Sequence, residues 1–179
     1  MIVRRSAIVG RSASVLFDLI EAAEYYPRFL PWCAGARIVS RDDTLVSADL
    51  TVSWLGLDFE MRTRNPKQRP EYMGIHLERG PFRRFEGEWR LAALAPDACK
   101  VAFALDYEFD SHFMTLAAGP MFSRITDKLV DAFVRQAMVT PKPRSNEAVP
   151  PAVEAPAQTA RTDGPIDSGQ ALRDRQPPE

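Results

Sequence analysis

Residues 101–133, VAFALDYEFDSHFMTLAAGPMFSRITDKLVDAF, contain the change of periodicity that decides the fold. Up to Phe109 the large apolar side chains alternate with small or charged ones, which is typical of a β-strand with one buried face. After Ser111 the apolar positions follow a helical spacing instead, and they are Phe122, Ile125, Leu129 and Phe133. The stretch predicts a strand and then a long helix over 112–137, which bends or breaks at Gly119-Pro120 so that Pro120 starts the second piece.

The same alternation of apolar and charged residues occurs in the segments that precede this strand. The alternating segments cover 46–54, 57–63, 73–77 and 85–91, and residues 2–9 alternate more weakly and suit a first strand. A period of two with one charged face predicts an antiparallel sheet that is wet on one side and apolar on the other. Short turn signals separate neighbouring strands, as in a meander, and they are Arg41-Asp42-Asp43, Arg69-Pro70 and Pro96-Asp97.

Two shorter elements come before most of the sheet. Apolar residues recur at helical spacing after Ser12 and Ser14, either of which can cap a helix over 13–22. Residues 25–32, YYPRFLPW, contain two prolines, which excludes a long helix or a central strand and favours a short helix or turn. The apolar face of the sheet must be covered, and only the terminal helix is long enough. We therefore predict an α+β fold in which a strongly bent antiparallel sheet wraps around the C-terminal helix.

Length and composition indicate a soluble, cytoplasmic protein with one folded domain. Its 179 residues are 45% hydrophobic and 26% charged, close to the average of globular proteins. The formal net charge of -1 supplies no basic field, so a dedicated DNA- or RNA-binding function is not expected. No run approaches the roughly 20 apolar residues that cross a bilayer, and the N-terminal residues do not have the apolar centre of a secretory signal.

The prolines set the predicted domain boundary. Residues 141–179 hold eight of the 15 prolines and no aromatic residue. Their few aliphatic residues are too dispersed to bury the surface that would offset the conformational entropy of folding. We therefore predict a folded domain over 1–140 and a disordered, proline-rich tail over 141–179.

Residue patterns that carry catalysis or metal binding are missing from the sequence. It contains no glycine-rich phosphate loop, no zinc-protease motif and no serine-hydrolase elbow. The two histidines, His76 and His112, are too few for a metal centre and are expected at the surface. Cys33 and Cys99 have no activating neighbour in the sequence, which favours buried structural thiols over a nucleophile or a redox pair. We therefore predict no catalytic residue, no metal site and no enzymatic activity.

The aromatic residues are numerous for a domain of this size, and they leave two possibilities open. They can fill the space between the sheet and the terminal helix completely, as a solid core. They can also line an apolar ligand pocket, since such pockets commonly have volumes of about 300–1,000 Å³ and aromatic walls. Composition alone is compatible with both.

Three motifs resemble those of the coenzyme Q-binding START-domain family. YPRFLPWC at 26–33 resembles the YPxFLPWC signature of this family, and GPFRRF at 80–85, followed by Trp89, is similar to its GPF…W segment. LVDAF at 129–133 resembles the end of its C-terminal helix. The resemblance covers residues 1–140, and the proline-rich tail stands outside it.

The resemblance implies a helix-grip fold with a hydrophobic tunnel for a lipophilic small molecule. The implied ligand is ubiquinone or a similar prenylated quinone, bound without a covalent bond and chaperoned in support of respiratory electron transport. A protein of this kind touches the membrane surface or respiratory complexes transiently, which implies a cytoplasmic protein peripheral to the inner membrane. The implied ligand-binding residues are Tyr26, Phe29, Leu30, Pro31, Trp32, Phe82, Trp89, Phe103, Tyr107, Phe122, Ile125, Leu129 and Phe133. Donors for the quinone carbonyls are expected among Tyr25, Tyr26, Arg28 and Trp32.

Two other functions occur in the same superfamily. Bacterial relatives are described as ribosome-association toxins of toxin–antitoxin pairs, and ribosome binding needs clustered cations. The candidate cluster consists of Arg62, Arg64, Lys67, Arg69, Arg79, Arg83 and Arg84. Polyketide cyclases and dehydratases also belong to the superfamily, but such an enzyme needs an acid–base pair inside the cavity, and the predicted inward positions offer none.

Overall fold

The computed structural model describes residues 1–54 and 56–140, and the predicted tail over 141–179 lies outside the described residues. The strands are β1 (Ile2–Val9), β2 (Cys33–Arg41), β3 (Leu45–Trp54), β4 (Leu57–Gln68), β5 (Tyr72–Arg79), β6 (Phe82–Ala95) and β7 (Ala98–Phe109). The helices are α1 (Ala13–Glu21), a 3₁₀ helix (Ala23–Arg28) and α2 (His112–Val139). The predicted α+β order of elements is therefore confirmed.

The strands form one antiparallel sheet with the order β1-β7-β6-β5-β4-β3-β2. Each strand from β2 to β7 pairs with the next along the chain, and β1 closes the row beside β7. The predicted meander is thus present. Strand β2 was not predicted, because two register shifts, at Cys33/Gly35 and Ile38/Ser40, interrupt its alternation at the edge of the sheet.

The first helix begins where the sequence places its cap. The Ser12 hydroxyl accepts a hydrogen bond from the backbone N–H of Val15 at 3.4 Å, and α1 buries Leu16, Phe17 and Ile20. Since Pro27 lies inside the next element, that element stays short, and it is a 3₁₀ helix. Both predictions for this region are confirmed.

Helix α2 continues through Pro120, so of the predicted bend or break at Gly119-Pro120 the break is wrong, and no second helix starts at Pro120. A proline in a helix removes one N–H and frees the carbonyl four residues earlier, which here belongs to Leu116. Leu116 is 67% exposed, so water can hydrogen-bond the freed carbonyl without ending the helix. The predicted stripe is otherwise correct, since Phe122, Ile125 and Phe133 are buried against the sheet.

The turn between β5 and β6 has a glycine, Gly80, before Pro81, and its backbone conformation and surroundings favour a residue without a side chain. Its φ of 152° lies in a region that residues with a side chain rarely adopt. A Cβ at this position would also lie 3.0 Å from the Cβ of Met61 on β4. The turn therefore brings β6 and Phe82 against the inner face of β4 only with glycine at this position.

The outer face of the sheet is charged and carries ion pairs between neighbouring strands. Asp49 on β3 accepts hydrogen bonds from Arg62 Nε on β4 at 2.6 Å and from Arg37 on β2 at 2.5 Å. Hydrogen bonds from Arg62 are the main reason why the pKa of Asp49 is lowered to about 2. Opposite charges on β3 and β4 therefore pair across the outer face of the sheet.

Asp49→Asn is expected to remove a pH-dependent part of the stability. Because the folded state lowers the pKa of Asp49 from 3.8 to about 2, the stabilisation is complete above about pH 5 and is lost as the pH falls through the folded-state pKa. Urea midpoints measured between pH 2 and pH 7 should show the variant less stable at neutral pH, and most of this difference should be gone near pH 2. A stability difference that stays constant over this range would contradict the assignment.

Candidate ligand-binding site

The inner face of the sheet and α2 leave a cavity of about 130 Å³ between them. Residues from α1, the segment after it, six strands and α2 line this cavity, which we call the sheet–helix cavity. Nine of the predicted ligand-binding residues lie on its wall: Tyr26, Leu30, Trp32, Trp89, Phe103, Phe122, Ile125, Leu129 and Phe133. That they contact a ligand stays a prediction.

Four predicted binding residues do not line the cavity. Phe29 lies behind the wall, with its ring centroid 5.9 Å from that of Tyr26 and 5.2 Å from that of Phe133. Pro31 is exposed. Phe82 and Tyr107 are buried in a separate aromatic cluster around Phe122, at centroid distances of 5.2 Å and 4.7 Å. These rings fill one end of the groove, so the groove is partly a solid core and partly open.

Twelve further residues line the cavity: Ile20, Cys33, Leu50, Val52, Met61, Thr63, Asn65, Met73, Ile75, Phe85, Leu105 and Thr126. Most occupy inward positions of the alternating strands, so the period of two already placed them on the apolar face. Ile20 and Thr126 lie on helices, and Cys33 begins the unpredicted strand β2. Asn65 lies on β4, two residues beyond the last position at which this strand was predicted to alternate. Extending the alternation by one step would have found it.

Three polar side chains on the wall donate to backbone carbonyls of the protein. The Tyr26 hydroxyl donates to the carbonyl oxygen of Ile20, and the Cys33 thiol donates to that of Gly35 at 3.4 Å. The Thr126 hydroxyl lies 3.1 Å from the carbonyl of Phe122 and 2.9 Å from that of Ser123, one turn back on α2. These groups are therefore occupied within the fold.

A fourth polar group on the wall is the pair formed by Thr63 and Asn65. Asn65 Nδ2 donates to Thr63 Oγ1 at 3.2 Å. Asn65 Oδ1 is buried and has no hydrogen-bond partner among the described residues. Asn65 therefore brings one unpaired, buried acceptor to a mostly apolar wall.

The wall carries no acid–base pair suited to catalysis near neutral pH. None of the residues on it is Asp, Glu, His, Lys or Arg. Burial raises the pKa of the Tyr26 hydroxyl and raises that of the Cys33 thiol to about 11, so both are uncharged at neutral pH. The arrangement suits an uncharged, largely apolar molecule.

The other predicted polar donors lie away from the cavity. The Arg28 guanidinium is 4.7 Å from the ring centroid of Tyr25, and both residues are exposed. Among the residues that the structure describes, no three His, Cys, Asp or Glu side chains converge to hold a metal ion. His76 and His112 are exposed, as predicted.

The predicted basic cluster is divided among acidic partners. Arg62 and Arg79 approach Asp49, at 2.6 Å and 3.9 Å, and Arg83 lies 3.4 Å from Glu108. Arg84 pairs with Asp106 at 3.0 Å, Arg69 pairs with Asp18, and Lys67 is buried in an ion pair with Glu21. These cations do not act together as one free positive surface.

Both cysteines are buried, as predicted, and burial raises the pKa of each thiol. Since the thiolate is the reactive form, we expect neither thiol of the folded protein to react with a charged aromatic disulfide reagent at pH 8 within minutes. Both should react at once in denaturant, and the colour released measures this. Rapid reaction of the native protein, lost in Cys33→Ala, would show that Cys33 is accessible and contradict this prediction.

The antiparallel sheet, the long helix against its apolar face and the cavity between them define a START-like protein with a helix-grip fold. The chain belongs to the polyketide cyclase/dehydrase and lipid transport family, whose model matches residues 9–134. The fold is shared with the Zhui aromatase/cyclase of a Streptomyces species, with a TM-score of 0.68 at 14% identity, over 77% of this chain and 93% of that one. The predicted fold class is confirmed.

Relatives named for two different functions match most of the chain. The ribosome association toxin RatA of Pseudomonas aeruginosa is 33% identical over 135 residues, which are 75% of this chain and 94% of the relative. The mitochondrial coenzyme Q-binding protein coq10 of Schizosaccharomyces pombe is 25% identical over 144 residues, covering 78% and 88% of the two chains. The predicted family is thereby confirmed.

Proposed function

We propose that this protein binds a prenylated quinone such as ubiquinone in the sheet–helix cavity and carries it without catalysis, in support of respiratory electron transport. The observation that carries the proposal is the apolar wall, which holds no acid–base pair and surrounds space suited to an uncharged ring. The relative named as a coenzyme Q-binding protein supports the same ligand class. The bound quinone is cargo and is not covalently attached.

The cavity volume determines which part of the ligand fits first. A cavity of about 130 Å³ is close to the roughly 150 Å³ that is known to hold a benzene molecule. A bare six-membered ring therefore fits, whereas the substituents of a ubiquinone ring and its long tail need side chains to move. Met61 and Met73 lie on the wall, and methionine is unbranched and adapts its shape readily. Each CH₂ that becomes buried contributes about 0.8 kcal/mol, which offsets such a rearrangement.

A titration with a short-tailed ubiquinone tests the proposal directly. Trp32 and Trp89 lie on the cavity wall, and quinones quench nearby tryptophan fluorescence. We expect saturable quenching with the full chain at micromolar protein, and no saturable quenching when the protein is denatured. A linear, unsaturable response of the folded protein would contradict binding in the cavity.

Contact with a bilayer belongs to this proposal, because the cargo resides in the membrane. We place the protein in the cytoplasm, at the inner-membrane surface or beside the respiratory complexes that use the quinone. Among the described residues, no helix is long and apolar enough to cross a membrane. The first turns of α2 expose Phe113 and Leu116, by 73% and 67%, and such side chains suit insertion at the surface of a bilayer.

Ribosome binding is the second candidate, and the relatives named as ribosome association toxins favour it. Against it, most of the cations in the predicted cluster already pair with carboxylates. We expect the protein to stay in the supernatant when ribosomes and separated subunits are sedimented at physiological salt. Co-sedimentation with one subunit, weakened by added salt, would support the toxin function instead. A cyclase or dehydratase activity has no acid–base pair on the wall to support it.

A further inference from the structure

We propose that Asn65, held in place by Thr63, recognises the ring oxygens of the ligand and so favours a quinone or quinol over a plain hydrocarbon. The inference rests on the proposed function, because it names the chemistry that the same cavity recognises. The pair acts as a specificity device, and no bond is made or broken.

The inward face of β4 changes from apolar to polar along the strand. Phe59 and Met61 are buried apolar residues, and Thr63 and Asn65 follow them on the same face. The next inward residue, Lys67, is buried and pairs with Glu21 at the end of α1. The polar end of the cavity therefore lies on the side of β4 that approaches α1, and the aromatic wall continues away from it.

The unpaired acceptor, Asn65 Oδ1, is the observation that points to a ligand at the Thr63–Asn65 pair. A buried polar atom without a partner destabilises a fold, so such atoms are usually paired. The hydroxyls of Tyr26 and Thr126 and the thiol of Cys33 already donate to backbone carbonyls. Asn65, by contrast, lines the cavity, and its buried Oδ1 accepts nothing from the described residues. A small rotation of the amide would bring this atom to a ligand in the cavity. A hydroxyl on a bound ring would satisfy it.

The same pair can also serve the oxidised form of the ring. The two ends of an amide have nearly the same shape, and a hydroxyl both donates and accepts hydrogen bonds. If the Asn65 amide turns over, the Thr63 hydroxyl donates to Oδ1, and Nδ2 faces the ligand and donates to a quinone carbonyl. The pair therefore binds quinone and quinol with similar affinity, which suits a carrier of both.

Asn65→Leu tests the inference against the control Thr115→Val. The leucine removes the amide from the cavity wall, and the valine removes a hydroxyl that lies away from this wall and donates to the Ser111 carbonyl. With a short-tailed ubiquinone, we expect about tenfold weaker binding for Asn65→Leu, the value of one buried neutral hydrogen bond, and little change for Thr115→Val. A prenylated benzene of the same tail length should bind the wild type and Asn65→Leu equally.

Three outcomes of this experiment separate the two proposals. Unchanged ubiquinone affinity in Asn65→Leu, or an equal loss for the prenylated benzene, would overturn the role of Asn65 and leave the carrier function standing. A wild type that binds neither probe would overturn the carrier function itself.

Discussion

Leu129→Trp is expected to weaken ubiquinone binding by about a hundredfold or more. Leu129 lies on α2 with its side chain on the cavity wall, and it is partly buried there. The larger indole ring would occupy space of about 130 Å³ that the quinone ring needs. Loss of the apolar contacts of a whole ring accounts for an effect of this size, at roughly 25 cal/mol for each Å² of buried surface. Fluorescence titration, or isothermal calorimetry with a detergent-solubilised quinone, measures the change.

Lys128→Trp is the matched control for this substitution. It places the same indole one residue earlier on the same helix, on a side chain that is exposed. Its ubiquinone affinity should equal that of the wild type. If both variants bind as well as the wild type while remaining folded, the ligand does not occupy the sheet–helix cavity.

Glu21→Ala is expected to lower the free energy of unfolding by about 3 kcal/mol. Glu21 at the end of α1 pairs with Lys67 on β4, whose side chain is 6% exposed. Removing one partner of a buried ion pair leaves the other charge buried and uncompensated, which typically costs about 3–5 kcal/mol. Arg41 also approaches Glu21, at 3.6 Å, but keeps Glu24 as a partner at 2.9 Å, so the loss falls on Lys67. Urea denaturation followed by tryptophan fluorescence measures it.

Two further variants test whether the instability of Glu21→Ala comes from the buried, uncompensated charge of Lys67. Asp18→Ala removes the partner of Arg69, an ion pair between α1 and the residue directly after β4 that is about half exposed, and it should cost less than 1 kcal/mol. The double variant Glu21→Leu with Lys67→Met removes both buried charges, and its stability should return to near that of the wild type. A double variant as unstable as Glu21→Ala would show that packing, not the stranded charge, causes the loss.

The sequence predicts this fold well wherever one side of an element is buried and the other is wet. Strands β3 to β7 alternate for that reason, and the stripe from Phe122 to Phe133 marks the buried side of α2. Strand β2 escapes prediction because bulges at Cys33/Gly35 and Ile38/Ser40 disturb its period at the edge of the sheet. The helix does not break at Pro120 because Leu116 is exposed. Water can hydrogen-bond its freed carbonyl, so the proline destabilises the helix only a little.

The site was harder to predict because the volume of a cavity depends on how side chains fill it. The periodic pattern places Phe103, Phe109 and Phe122 on inward faces, but it does not say which rings touch. In the structure Phe82 stacks on Phe109 with centroids 4.6 Å apart and closes one end of the groove. Phe103, beside Trp89 at 4.6 Å, remains on the wall of the open part. The rotamer that each ring adopts cannot be predicted from the pattern of residue types.

The cargo that the protein carries when purified from a quinone-producing host tests the central claim most directly. Organic extraction followed by mass spectrometry of the lipids identifies the ligand, and Leu129→Trp purified in parallel controls for lipids that adhere to the surface. The proposed function predicts near-stoichiometric prenylated quinone with the wild type and little with the variant. A wild type that yields no quinone, or the same amount as Leu129→Trp, would contradict it.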